Sequence, residues 1–383
     1  MHAINRIEQT YRDLIASGRK ITKLYQANPN EEGFHFPFEI LESAYRRYFE
    51  RQDYHPHPKG LRAARVAIQD FYLSAGIELD PEYILITSGS SESFSYLFSL
   101  LAEPGDNLLT PNPSYPLFDH IAQMARVELR QYPLLEERNW EIDLQELRRL
   151  TDSRTKAIVL VSPSNPTGAV TSSEQIGEVV DWANKKGLAL ICDEVFSEFY
   201  FGEGRFPRPM ALARPELCFT LNGISKMFAL PGLKLSWIVV SGEKKRVDAA
   251  VDRLETINDT FLSCHIPIQE ALPSLFSEGK DFLNHYRKEV ATRRTLALQY
   301  LQSRALKIVS PEGGFYLMAA VRKNLSVSEE DLVIRLMKET GLFVHPGYFY
   351  DEEKGIHFVV SHLLKPETQE AALPRLTSFI ESL

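Results

Sequence analysis

Apolar bursts of strand length recur through the middle of the chain: YILIT (83–87), KAIVLV (156–161), LALIC (188–192), LCFTL (217–221) and WIVVS (237–241). Stretches with helical spacing separate most of them, among them GLRAARVAIQDFYLSAG and SEQIGEVVDWANKK. Continuous apolar strands alternating with amphipathic helices predict a mainly parallel sheet covered on both faces. Residues 1 to about 38 read differently, as one amphipathic helix followed by the turn-rich QANPNEEGFHFPF. After about residue 242 the rhythm changes again. The long helical stretch EKKRVDAAVDRLETINDTF leads into a helix-rich region, then the short strands GFYLMAA, GLFVH and IHFVVS, and a closing helix, PETQEAALPRLTSFIESL. The expectation is an α/β protein in three parts. An N-terminal segment, 1–38, joins a small α+β domain formed by 256–383, and 39–255 form the large domain.

Composition narrows the function classes. The 383 residues are 44% apolar and 25% charged, with 43 basic and 51 acidic side chains and a net charge of -8. That balance argues against non-specific nucleic-acid binding, which needs a basic face. No apolar run approaches the roughly 20 residues of a membrane helix, and MHAINRIEQTYRDL lacks the apolar core of a signal peptide. The reading is a cytoplasmic, soluble protein with no membrane contact. Cys192 and Cys218 sit in apolar runs and read as buried free thiols; with Cys264 they are too few and too far apart for a disulfide scaffold. The histidines of HPHP (55–58) read as loop residues and no metal is expected, because a site needs three or four ligands.

Five segments carry candidate chemistry. ITSGSSESFSYLF follows a strand and opens a helix, so Gly89, Ser90 and Ser91 could form an anion cup, or simply a serine-rich helix cap. In PNPSYP (111–116), Tyr115 could stack on a flat ligand or pack in a proline turn. VSPSNPTG (161–168) is a rigid loop in which Asn165 offers both a donor and an acceptor. Asp193 directly follows the strand LALIC; a carboxylate at that depth needs a partner, either a helix cap, a salt bridge or a cationic ring nitrogen. In LNGISKMFALPGLKLSW (221–237), Lys226 follows an apolar strand and Lys234 lies eight residues on. Burial and a nearby cation lower a lysine's pKa and free its amine to form an imine.

In order and spacing these segments resemble the class I/II aminotransferases, pyridoxal-phosphate (PLP) enzymes of fold type I. The blocks that carry the resemblance are NPSYP, SNPTG, DEVF, SK followed by PGLK, GGFYL and VHPG. It implies a large domain with a mainly parallel, seven-stranded sheet that binds the cofactor. Lys226 would form the Schiff base, Asp193 would pair with the pyridinium nitrogen, Asn165 would bind the phenolic oxygen, and Tyr115 would stack on the ring. Ser90, Ser91, Ser225 and Lys234 would hold the phosphate. Tyr54, in YHPHPKGLR, would reach the cofactor phosphate of a partner subunit, which implies a homodimer with composite active sites.

The activity implied is transfer of an amino group from a small-molecule donor to a keto acid. A PLP-dependent lyase, decarboxylase or synthase is the alternative on the same scaffold, because fold does not choose the bond broken. A binding protein on a retired enzyme scaffold is a third reading, opposed by the retained lysine and aspartate. Two positions depart from the family pattern. Phe196 stands where many relatives have a tyrosine that donates to the phenolic oxygen. The late-strand arginine that holds a substrate α-carboxylate is replaced by Val359 or, in an alignment shifted by two, by His357. The expectation is that the substrate is not a simple α-amino acid, or that another cation, such as His357, His345 or His35, grips it.

Overall fold

The computed structural model describes residues 5–52, 54–261, 264–323 and 325–383. Seven strands form the large sheet. From one edge they are Ile84–Thr87, Ser236–Gly242, Leu217–Gly223, Ala189–Asp193, Thr155–Val161, Asn107–Asn112 and Glu128–Leu135. A two-residue strand, Glu141–Ile142, hairpins onto the last of these and makes an eighth. Only Ser236–Gly242 runs against its neighbours in the body of the sheet. The central strands are buried along nearly their whole length, which is why they are apolar without alternation.

Helices cover both faces. Leu97, Phe98 and Leu254 pack with Phe219, Ile191 and Val240 on one side. Ile176, Val180 and Ala183 pack with Ile158, Leu160 and Leu190 on the other. The helix Ser173–Lys186 shows how local sequence sets such an element. Ser172 accepts from the Gln175 N–H at its start, and Gly187 ends it in the left-handed conformation at φ 66°.

A second sheet is antiparallel throughout, in the order Leu306–Ile308, Tyr316–Val321, His357–Ser361, His345–Pro346. Leu317, Ala319, Phe358 and Val360 turn one face of it into a core shared with Leu336, Leu373 and Leu376. The N-terminal segment belongs to this side of the molecule: Thr22–Lys23 pairs in parallel with Leu342–Phe343, and Arg6 bridges Glu330 at 2.7 Å and Asp331 at 2.9 Å. Helix Ile266–Glu278 packs instead through Ile268, Leu272 and Leu275 against Ala64, Ile68 and Tyr72 of helix Arg62–Ser74.

Candidate active site

Six strands of the large sheet point their carboxyl ends to one edge. Thr87, Asn112, Val161, Asp193 and Gly223 close five of them there. Ser236–Gly242 runs the other way, so its start, with Lys234 just before it, lies at the same edge. This edge is where open α/β sheets bind ligands. It collects all the candidate segments on one side of the sheet, facing the small antiparallel sheet.

Lys226 lies on the short helix Ile224–Met227, directly after the strand Leu217–Gly223. Gly223 allows the strand to turn there, because a side chain at that position would run into the backbone oxygen of Leu235 at 2.9 Å. The Lys226 amine sits 5.6 Å from the centre of the Phe196 ring and 6.0 Å from that of Phe315. Burial lowers it from the ordinary 10.5 to about 8; Asp193 opposes that shift and Lys234 adds to it. Asp193 ends its strand almost fully buried, and burial raises its carboxyl to about 6, against the pull of a hydrogen bond from Val195 N–H at 3.1 Å and of Lys226. A carboxylate and an amine thus act on each other's charge, each destabilised in its charged form by lack of water.

Tyr115 comes from the loop after Asn107–Asn112. Burial and the nearby Asp193 push its phenol up, and Ser91 pulls it partly back by a hydrogen bond. Ser91 and Ser90 begin helix Ser90–Leu101, whose cap, Gly89, donates no side chain, leaving the first N–H groups open. Asn165 is half-buried, and its side-chain oxygen is buried without a hydrogen-bond partner. Its loop closes through Gly168 at φ +72°, where a side chain would approach Tyr316 O to 2.8 Å. Ser225 is half-buried beside Lys226, and Lys234 is exposed in the left-handed region at φ 51°. Ser90, Ser91, Tyr115, Asn165, Asp193, Phe196, Ser225, Lys226 and Lys234 therefore gather at one edge. Tyr54 stands apart, 65% exposed, on a cavity of about 330 Å³ that it shares with Ile86, His57 and Cys264.

Residues that sequence reasoning passed over complete the surroundings. Behind Asp193, Glu194 is buried against Arg208, itself buried, with Glu198 3.7 Å from the guanidinium. Burial raises Glu194 to about 7 despite that arginine. From the small sheet comes Tyr316, whose ring lies 6.4 Å from Phe196, and from the turn Gly347–Tyr350 beside it comes Tyr350, whose hydroxyl is 3.1 Å from His345 Nδ1. Tyr25 of the N-terminal segment stacks on His345 at 3.5 Å. These positions carry no motif; only the alternation of GFYLMAA and HFVVS could have put Tyr316 and Val359 on one face.

The family model for aminotransferases of class I and II matches residues 24–372. The chain belongs to this family. Among its relatives, the glutamate-pyruvate aminotransferase AlaA of Haemophilus influenzae is 29% identical over 370 residues, covering 95% of this chain and 91% of that protein. The crystal structure of an aminotransferase from Escherichia coli superposes with a TM-score of 0.89 at 26% identity, covering 98% of this chain and 95% of that one. The alanine aminotransferase of Pyrococcus furiosus shares the fold, with a TM-score of 0.92 at 24% identity over 100% of this chain and 98% of that one. This aminotransferase is therefore a PLP enzyme, and its residues suit the cofactor. The unpartnered Asn165 oxygen and the buried Asp193 carboxyl are acceptors that suit donors of the kind a pyridine ring with a phenolic hydroxyl and a protonated nitrogen supplies.

Proposed function

We propose that this aminotransferase holds pyridoxal phosphate covalently on Lys226, and that Lys226 Nζ moves the proton during amino-group transfer. The observation that carries the reading is the placement of Lys226 directly after the buried strand Leu217–Gly223, with Asp193 ending the neighbouring strand and the Phe196 ring 5.6 Å from the amine. When bound, the cofactor supplies an aldehyde that condenses with amines and a ring that withdraws electrons from the amine-bearing carbon. The protein residues do the rest. Asp193 holds a proton on the ring nitrogen, and its burial makes that pairing stronger than in water. Asn165 binds the phenolic oxygen, and Tyr115 stacks on the ring. Ser90, Ser91 and Ser225, with the open N–H groups of helix Ser90–Leu101 and Lys234, take the phosphate. Lys226 Nζ, whose lowered proton affinity leaves a fraction of it neutral, can accept the proton leaving the amine-bearing carbon and return it one position away.

The test is borohydride reduction of the holoenzyme followed by peptide mapping. The phosphopyridoxyl mass should fall on the peptide containing Lys226, and Lys226→Ala should lose both the bound-cofactor absorbance and turnover. A mass on another lysine, or a variant with near-normal turnover, overturns the assignment.

Three further readings belong to the same proposal. The first is a homodimer with composite sites, supported by the exposure of Tyr54, Phe49 and Phe261 and by the prevalence of two-fold dimers. A strictly monomeric, fully active enzyme in light scattering would overturn it. The second is the division into 1–38, 39–255 and 256–383; the pairing of Thr22–Lys23 with Leu342–Phe343 supports joining the first part to the last, while helix Ile266–Glu278 packs on the middle part. The third is a cytoplasmic location; among the described residues no helix is long and apolar enough to cross a membrane. The relatives' names point to glutamate, pyruvate and alanine, all of which carry a carboxylate on the reacting carbon.

A further inference from the structure

Lys226 stands at the head of a turn that ends at Lys234, and the turn has little regular structure of its own. Its helix, Ile224–Met227, is four residues long, and the Phe228 N–H closes it on Ile224 O. Ala229 follows in the left-handed region at φ 55° and is fully buried. A side chain in that region is strained, so contacts from outside the turn must hold it there. The turn's own bonds at this point are long: Ala229 N to Lys226 O and Leu230 N to Ile224 O, each at 3.4 Å.

Three side chains grip the turn by its carbonyls. Two act at the Lys234 end, where His265 Nε2 lies 3.2 Å from Leu233 O and Cys264 Sγ 3.7 Å from Lys234 O. At the Lys226 end, Asn30 Nδ2 donates to Ala229 O at 2.8 Å. Among the described residues no other hydrogen bond reaches that oxygen. Without Asn30 a buried carbonyl would be orphaned on a residue that is already strained, and the turn would shift to relieve both.

Asn30 is itself fixed. Its amide also donates to Phe34 O at 3.0 Å, and its backbone N–H donates to Asn28 Oδ1 at 3.2 Å. The turn around it, 28–34, is tied to the side of the molecule that carries the small sheet. Lys365 N–H donates to Glu32 Oε2 at 2.8 Å, and the buried Arg293 reaches Glu32 O at 3.0 Å and Leu363 O at 2.7 Å. Ala27 and Phe34 share one core with Ala229 and with Phe196 and Phe315, the two rings beside the Lys226 amine. The N-terminal segment thus braces the Lys226 turn from that side. A misplacement of about 1 Å in a reacting group can cost about a hundredfold in rate, so a brace this close bears on the chemistry.

We propose that Asn30 is a positioning residue for Lys226: by holding Ala229 O it sets where the turn places the reacting amine. It acts through the turn and not by touching cofactor or substrate. This rests on Lys226 as the residue that takes the cofactor.

The experiment compares wild type with Asn30→Asp, which keeps the size of the side chain and replaces its N–H donors by an oxygen. Cofactor-free full-length protein is mixed with pyridoxal phosphate and reduced with borohydride at timed intervals. Condensation joins Lys226 Nζ to the aldehyde carbon and releases water, borohydride makes the bond permanent, and peptide mapping locates it. The maximal rate of capture should fall about tenfold or more in Asn30→Asp. The pyridoxal phosphate concentration that gives half that rate, and the affinity for deoxypyridoxine phosphate, which lacks the aldehyde, should stay within about twofold of wild type, because the cofactor seat itself is untouched. An unchanged maximal rate overturns the proposal. So does a loss of rate matched by an equal loss of affinity for the analogue, which would mean that the whole site is disturbed. Asn30→Ser, too short to reach Ala229 O, carries the same test if Asn30→Asp does not fold. A wild-type label on another lysine overturns the Lys226 reading itself, whereas a label that stays on Lys226 and forms at the wild-type rate in the variant overturns only the role of Asn30.

Discussion

Replacing Lys226 by methionine should make the cofactor-free protein more stable, by about 3 kcal/mol at pH 7. Burial lowers the amine from 10.5 to about 8, with Asp193 opposing and Lys234 adding to the shift. Each pKa unit is worth about 1.4 kcal/mol, so keeping the ammonium in place costs roughly 3 kcal/mol wherever it is charged in both states. The sign follows from the direction of the shift. Below about pH 8 the amine is charged both folded and unfolded, and the cost is present in full. Above the unfolded value it is neutral in both, and the cost is gone. At pH 9 the folded amine is mostly neutral while the unfolded one is still charged, which leaves a cost of about 2 kcal/mol. Methionine is of similar length and would lie against Phe196 and Phe315, whose ring centres are 5.6 Å and 6.0 Å from the amine, so no large cavity opens. Asp193 loses the cation that favours its charge, but its carboxyl, already raised to about 6, protonates in response and limits the loss. The assay is urea unfolding of both cofactor-free proteins at one protein concentration, at pH 7 and pH 9. A variant no more stable than wild type at pH 7, or a gain that grows with pH, would refute the reasoning.

Other substitutions probe the surroundings of the site. Gly168→Ala should lower stability by about 2–4 kcal/mol in urea unfolding, because φ +72° strains any side chain and Tyr316 O and Gly313 O lie within 3.0 Å of the new carbon. An unchanged midpoint would mean the loop relaxes. Arg208→Met should cost about 3 kcal/mol by stranding buried Glu194. Burial has already raised Glu194 to about 7, and a raised carboxyl loses stability as pH climbs from its unfolded value, so the deficit should be larger at pH 8 than at pH 5.5. A deficit that shrinks with pH contradicts this. Phe196→Tyr should move the pH midpoint of the bound cofactor's absorbance change downward, because a phenol in that ring's place adds a donor near the Lys226 amine. Spectral titrations with an unchanged or raised midpoint would reject it.

The parallel strands were legible because both their faces are covered. Ala189–Asp193 and Leu217–Gly223 are buried at every position, so their apolar runs are unbroken. Glu128–Leu135 escaped notice for the opposite reason. It lies near the sheet edge, mostly half-buried, and reads ELRQYPLL. The stretch GLFVH was expected as one strand and is two, Leu342–Phe343 and His345–Pro346, which pair in different sheets. Helix Ile266–Glu278 was visible as a helix, but its packing on Arg62–Ser74 was not, since nothing local in IPIQEALPSLFSE says which core it joins.

At the site, the residues that follow strands could be found from the chain alone, because the end of a buried strand fixes both depth and direction. Asp193 and Lys226 are cases of this kind, one closing its strand and the other opening a short helix. The buried cluster behind the small sheet was harder to see. Trp140, Met318, Tyr350 and Val359 come from four distant segments, and only the register that sets Met318 beside Val359 brings two of them together. Histidines 345 and 357 illustrate why counting charges along the chain misleads. His357 and Val359 are two apart on one strand and so share a face, which made His357 a fair substitute for a missing arginine. Glu136 lies 3.6 Å from its Nε2, too far for a hydrogen bond, while Tyr350 holds His345 at 3.1 Å. Arg208 is likewise taken by Glu194. His345 and Arg208 already have partners that a substrate carboxylate would have to displace, whereas His357 keeps both ring nitrogens without a hydrogen bond. The pairing of these side chains, rather than their number, therefore decides which of them is left to meet a substrate.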